Sequence, residues 1–266
     1  MTGLTPEKGG IMSRQVARSI FAVALSCLIL LAPIASPPTV ANAAGTCRDP
    51  IDNYFDGFYQ ADGRTNAYEG VSSYIYVQQT YLCSGSTVEA FNFSNAWVMI
   101  AGDYAGDNDA YGQVGFELTY GKPMRWFSQF HDGYGRYTTR YSSFSIANEY
   151  GNRHIFRVLW SGTCSCLRAI IDTTEWATSP FNPFRSAEAD FGPQPWSPQF
   201  LGETGFLQSN MPGSPSRHTR YAGMGAQRFS DDQLESMPCI LSGTNDNPGA
   251  WGLDALGCTS FDIWTK

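Results

Sequence analysis

The chain has little charge and very little histidine. Only 15% of its residues are charged, while 42% are hydrophobic and 14% aromatic, and there are three histidines. Such a mixture, with 27 glycines, argues against a helical bundle, which would carry more Glu, Lys, Leu and Ala. His131, His154 and His218 are scattered, and no His-Glu-x-x-His run brings two of them together, which speaks against a zinc peptidase. There is no Gly-x-Ser-x-Gly elbow, which weakens a serine hydrolase of the α/β kind. A phosphate-binding glycine loop, repeats, heptads and low-complexity tracts are also missing. Positive charge is scarce: 17 Lys and Arg face 24 Asp and Glu, a formal net charge of −7. An acidic surface repels phosphate, so nucleic acid is not an expected partner. Long apolar runs are missing too. The one candidate, Ile20 to Ile34, has about 15 residues against the ~20 a spanning helix needs, and Pro33, Pro37 and Pro38 break it.

That short run fits an export signal. Arg14 and Arg18 precede it, Met12 offers an alternative start, and Ala41-Asn42-Ala43 supplies a small-x-small cleavage site. Residues 1–43 are therefore expected to be a signal peptide. Residues 44–266 would be one secreted, extracellular domain of about 220 residues with no membrane association after cleavage. Cys27 lies inside the apolar run, not at its end, and so is not read as a lipid-attachment site. Its removal leaves Cys47, Cys83, Cys164, Cys166, Cys239 and Cys258. An even set in an exported chain implies up to three disulfides with about fifteen pairings open. Cys239 with Cys258 is the favoured pair, stapling a loop-rich tail from about residue 230. Cys164 and Cys166 look too close to pair easily with each other, and a metal site is disfavoured because no second Cys or His pair stands at zinc spacing.

Residues 45–70 read as turns. Strands are expected over 70–82, 96–101, 111–118, 125–131, 154–160, 167–172, 199–204 and 219–229. Turns fall at 102–110 and 133–137, and long loops at 177–198 and 230–259, the last with one helical turn at 231–236. Short strands between Gly, Asn and Asp turns suggest an antiparallel sandwich. Alternation then assigns faces. Tyr111, Gln113, Gly115 and Glu117 share one face, and Gly112, Val114, Phe116 and Leu118 share the core face. Arg125, Phe127, Gln129 and His131 form another polar-aromatic set, and Gln199, Leu201 and Glu203 a third. Such faces suit a concave sheet that holds a ligand, or an ordinary exposed sheet.

Two chemistries stay open on the residues alone. Asp103, Asp107, Asn108 and Asp109 carry hard oxygen ligands for calcium, but they do not match the twelve-residue loop and read better as a solvated turn. A paired-carboxylate glycosidase needs only two suitably spaced acids, and Glu117, Glu175 and Glu203 are the candidates by position.

Several short motifs in order resemble the glutamic peptidases, both the fungal eqolisins and the neprosin-like proteins. Trp97-Val-Met-Ile followed by Gln113-Val-Gly is similar to the paired eqolisin strands. Gln113-Val-Gly-Phe, Arg125-Trp-Phe with Asp132-Gly-Tyr, Phe200-Leu-Gly-Glu203 and Met224-Gly-Ala resemble successive neprosin motifs. The likeness spans roughly 71–229. Gln113 stands where neprosins carry an acid, Leu201 replaces a glycine, and the tail from Ser230 has no counterpart. Glu175-Trp176 is also an eqolisin-like pair, but it falls too early in the strand order. The resemblance implies an all-β fold, an antiparallel sandwich of the concanavalin-like jelly-roll kind with long loops. It implies a glutamic-type endopeptidase with Glu203 as general base and Gln113 as oxyanion partner. Tyr111, Glu117, Phe127, Gln129 and Trp97 would line the substrate groove. No metal and no cofactor is needed. The partner would be an extracellular peptide or glycan, and non-catalytic, lectin-like carbohydrate binding is the alternative.

Overall fold

The computed structural model describes residues 55–61, 68–82, 93–102, 110–119, 121–182, 196–205, 209–210, 218–228, 230–237, 241–245 and 251–265. For 55–61, 81–82, 196–197, 203–205, 209–210, 241–245, 251 and 265 it describes the backbone course alone. Every described residue lies within the unit Asn42–Lys266. The expected export signal with Cys27, Cys47, Cys83, Cys239, the 103–109 turn and most of the 177–198 loop lie outside the described residues. Among the described residues no helix is long and apolar enough to cross a membrane.

The described chain is an antiparallel β-sandwich. Its first sheet, A, contains β1 (Phe55–Ala61), β4 (Phe93–Gly102), β5 (Ala110–Thr119), β6 (Arg125–Asp132), β7 (Tyr137–Tyr141), β11 (Trp196–Gly205) and β15 (Leu241–Asn245). Their spatial order is β15-β1-β11-β4-β5-β6-β7. Sheet B contains β2 (Tyr68–Tyr76), β8 (Arg153–Ser161), β9 (Cys166–Ile171), β10 (Thr174–Thr178), β13 (Thr219–Arg228), β16 (Trp251–Gly257) and β17 (Ser260–Thr265). These run in the order β10-β9-β8-β2-β13-β17-β16, and β14 (Leu234–Ser236) adds to the end of β13. A two-stranded piece joins β3 (Tyr81–Leu82) to β12 (Ser209–Asn210).

Alternation builds the core as expected. Val98, Ile100, Val114, Phe116, Phe130 and Phe200 from sheet A meet Val71, Ile75, Phe156, Val158, Leu167, Tyr221, Phe261 and Ile263 from sheet B. Aromatic and β-branched residues at every second position bury one sheet face against the other. At Gly112 a Cβ would come within 2.8 Å of the Leu167 side chain, so a larger residue at this inward position would require Leu167 to shift.

Three expectations are corrected. Residues 55–61 form β1 where turns were expected. The long loop over 230–259 contains β14, β15 and β16, and Asp231–Ser236 is a turn running into a strand instead of a helical turn. Cys164 and Cys166 are bonded to each other, with Cα atoms 5.2 Å apart. The hairpin turn that carries them bends tightly enough to join the sulfurs, because Ser165 takes the left-handed conformation at φ 50°. Cys258 is also in a disulfide, whose other half lies outside the described residues.

Candidate functional site

The register of sheet A lays its outward face out in three rows. Gln199, Met99, Gln113, Gln129 and Thr139 are successive cross-strand partners from β11 to β7. Leu201, Trp97, Gly115, Phe127 and Tyr141 form the second row. Glu203, Asn95, Glu117 and Arg125 form the third. In β4, β5, β6 and β11 the residues between them are turned to the buried side, so the three rows share one surface.

In the first row, Gln113, Gln129 and Thr139 are hydrogen-bonded side chain to side chain, joined by neighbouring Tyr111. The Tyr111 hydroxyl and the Gln113 amide both donate to Gln129 Oε1, at 2.6 and 3.0 Å. Gln129 Nε2 in turn donates to Thr139 Oγ1 at 3.0 Å. Beside this chain, Tyr137 stacks on buried His131 with ring centroids 4.0 Å apart and an interplanar angle of 11°. The turn between β6 and β7 sets that stack. Asp132 Oδ1 accepts from the Tyr134 and Arg136 amides at 2.8 and 3.0 Å. Gly133 and Gly135 take φ of 79° and 88°, which side chains resist. The Gly135 amide donates to His131 Nε2 at 3.2 Å and helps to fix the ring.

The second row is a floor. Trp97 is 4% and Phe127 2% exposed, and with Leu201 and Met99 they make a small apolar cluster on this face. Gly115 lies between Trp97 and Phe127, where a Cβ would meet the Ala96 carbonyl oxygen at 2.0 Å. Tyr221 reaches through the core from sheet B. Trp97 N–H donates to its hydroxyl at 3.1 Å, and the hydroxyl donates to the Leu201 carbonyl. Full burial raises the pKa of that hydroxyl well above its ordinary value.

In the third row, Glu117 Oε1 accepts from Thr119 Oγ1 at 2.7 Å and from the Tyr141 hydroxyl at 2.9 Å. The Arg125 guanidinium lies 4.2 Å above the Tyr141 ring. Partial burial, then the Glu117 carboxylate, push the Tyr141 hydroxyl upward in pKa.

Gln113 and Glu203 occupy the same face by register, with β4 between their strands. Their positions are staggered by four residues, about 13 Å along the strands and about 10 Å across them. The β11 residue in the Gln113 row is Gln199, and the carboxylate in the Glu203 row, two strands away, belongs to Glu117. Of the expected groove residues, Tyr111, Gln113 and Gln129 come together. Glu117 lies at the other end, and Trp97 and Phe127 are covered floor instead of open platforms. Glu175 is elsewhere, on edge strand β10 of sheet B, hydrogen-bonded to Thr178 at 2.9 Å and Arg168 at 2.7 Å, contacts that hold its carboxyl below the usual range. Tyr137, Thr139 and Tyr141 were not singled out as ligand-facing from the sequence, whereas His131 was placed on the polar-aromatic face of its strand. The alternation in Tyr137-Thr-Thr-Arg-Tyr141 carries the signal that a strand follows the turn. Among the described residues no group of three or more His, Cys, Asp and Glu side chains is placed to hold a metal ion.

No family model matches the chain, and no curated protein matches it. Solved structures do. A crystal structure of scytalido-glutamic peptidase with a transition-state analogue inhibitor aligns over 82% of this chain and 100% of its own, at 12% identity and a TM-score of 0.52. A structure of the eqolisin SCP-B in complex with the tripeptide Ala-Ile-His covers the same shares at 11% identity and a TM-score of 0.44. A family 16 glycoside hydrolase endo-glucanase from Bacteroides ovatus aligns over 58% of this chain and 68% of its own, at 12% identity and a TM-score of 0.34. At such identities the likeness is one of fold: the chain is an antiparallel β-sandwich of the kind on which scytalido-glutamic peptidase is built.

Proposed function

We propose that this protein is exported and binds an oligosaccharide on the corner of sheet A formed by Tyr111, Gln129, Tyr137 and Thr139. One observation carries the reading: the Tyr137 ring, 57% exposed, lies flat on buried His131 beside a continuous chain of amide and hydroxyl groups. A ring held flat in solvent packs against the C–H face of a pyranose. Nearby amides and hydroxyls exchange hydrogen bonds with the sugar hydroxyls and fix its orientation. Because the stack and the amide chain hold these side chains in place, little side-chain freedom is lost on binding. A glycan array with the purified protein tests this. A hit should weaken about tenfold in Tyr137→Ala, or ~1.4 kcal/mol. An array with no hits, or one on which Tyr137→Ala binds as well as the parent, overturns it.

Peptide hydrolysis is the second reading, favoured by the motif order and by the placement of Gln113 and Glu203 on one face. Glu203 would deprotonate water and Gln113 would donate to the oxyanion, with no metal involved. The stagger between the two positions, and an amide at Gln199 in the Gln113 row, weigh toward binding. Hydrolysis predicts cleavage of unfolded protein between about pH 2 and pH 7, insensitive to chelators and serine reagents and abolished in Glu203→Gln. Absence of cleavage across that range rules it out.

A further inference from the structure

The Cys164–Cys166 bond lies at the tip of the β8–β9 hairpin, on sheet B and away from the candidate site. Ser161 pairs with Cys166, and the ladder continues without a break to Phe156 and Ile171, so the hairpin is already fixed by its own register. The crosslink closes a loop of only three residues. A loop that short restricts the unfolded chain little, so this disulfide adds little to stability. Its two halves differ in access: Cys164 is exposed, whereas Cys166 is 4% exposed. The Ser161 carbonyl lies 3.7 Å from Cys164 Sγ, so a reduced Cys164 thiol has an acceptor already in place.

We propose that Cys164 and Cys166 form a redox-active pair that exchanges its disulfide with the two thiols of an external dithiol. The incoming thiolate attacks the exposed Cys164 sulfur, the Cys164–Cys166 bond breaks, and Cys166 leaves as a thiolate that takes up a proton. The second thiol of the dithiol then attacks the mixed disulfide and releases Cys164. Two electrons and two protons pass to the protein, and the dithiol becomes a disulfide. The reverse sequence donates a disulfide to a reduced partner. One buried and one exposed sulfur, with a single residue between their cysteines, give the asymmetry of an attacked and a leaving sulfur with a short path for recapture.

The test uses the oxidised full-length protein in dithiothreitol and in glutathione buffers of graded ratio. Free thiols are trapped by alkylation and located by peptide mass, and the melting temperature is followed in parallel. The Cys164–Cys166 pair should open about tenfold faster than the Cys258 disulfide, with little change in melting temperature. Cys166→Ser should trap glutathione on Cys164. The double variant Cys164→Ser/Cys166→Ser should melt like the parent, which separates exchange from a folding role. The proposal is overturned if the pair opens only on unfolding, if it outlasts the Cys258 disulfide, or if Cys164 proves to be joined to a different cysteine.

Discussion

The hydroxyl of Tyr221 meets the β4–β11 ladder at the Trp97–Leu201 pair, where it accepts from the Trp97 N–H and donates to the Leu201 carbonyl. Its ring stacks on Phe261 at 4.5 Å, so sheet B sets its position. Tyr221→Phe keeps the ring and removes the bridge, leaving a buried donor and acceptor without it. The expected cost is about 1–3 kcal/mol, seen as a lower urea midpoint; an unchanged midpoint would show that the strands close on each other instead. Gly115→Ala should be worse, because the added Cβ meets backbone that cannot turn aside. A loss of about 3 kcal/mol or more, or no soluble protein, is expected. At this scale the sequence shows a part of the site. Tyr111, Gln113 and Gln129 can be read from alternation because each sits inside a regular strand. The Tyr137–His131 stack cannot, because it depends on a turn whose two glycines bring β7 back beside β6. The need for glycine at 115 arises from the closeness of β4, which local pattern does not express.

Strands β4, β5 and β6 were legible because each buries one face and alternates cleanly. The tail strands were not. β16 is mostly exposed, and its Gly, Asp and Ala residues have low strand propensity; pairing with β17 makes it a strand. The joint between these two is tight. Trp264 stacks on His218 at 3.8 Å, and a Cβ at Gly252 would fall 2.0 Å from the indole. Gly252→Val should therefore drive Trp264 off His218. A red-shifted tryptophan emission relative to the parent would report the displaced ring, and an identical spectrum would refute the packing. β1 was missed for a different reason: its Asp, Gly and Gln residues read as a turn, and its partners β11 and β15 lie far along the chain.

Across the whole molecule, one buried acid gives stability a pH dependence. Glu69 is 2% exposed, and its carboxyl is pushed from 4.5 to about 8, first by burial and then by a hydrogen bond to Asp232 and the charge there. In the unfolded chain the same carboxyl ionises near 4.5. Below that value both states hold the proton and the group contributes nothing. Between 4.5 and about 8 only the unfolded chain gives it up freely, so folded stability falls as pH rises through that window. Above about 8 the penalty is complete. Denaturation midpoints at the two ends of the window should differ in favour of acid, and Glu69→Gln should flatten the difference. A parent protein more stable at the alkaline end would contradict the burial of Glu69.

Tyr221 also has a mechanical consequence. A sandwich held only by apolar side chains resists being pulled open better than it resists sliding, because oil-like contacts are remade as the layers slip. A hydroxyl rooted in one sheet and bonded to the backbone of two strands in the other works as a shear pin: sliding must break directional bonds at a fixed point before any contact can be remade. Stretched along its strands, this molecule should yield at the Trp97–Leu201 crossing, and the layers should slip at lower force once that hydroxyl is gone.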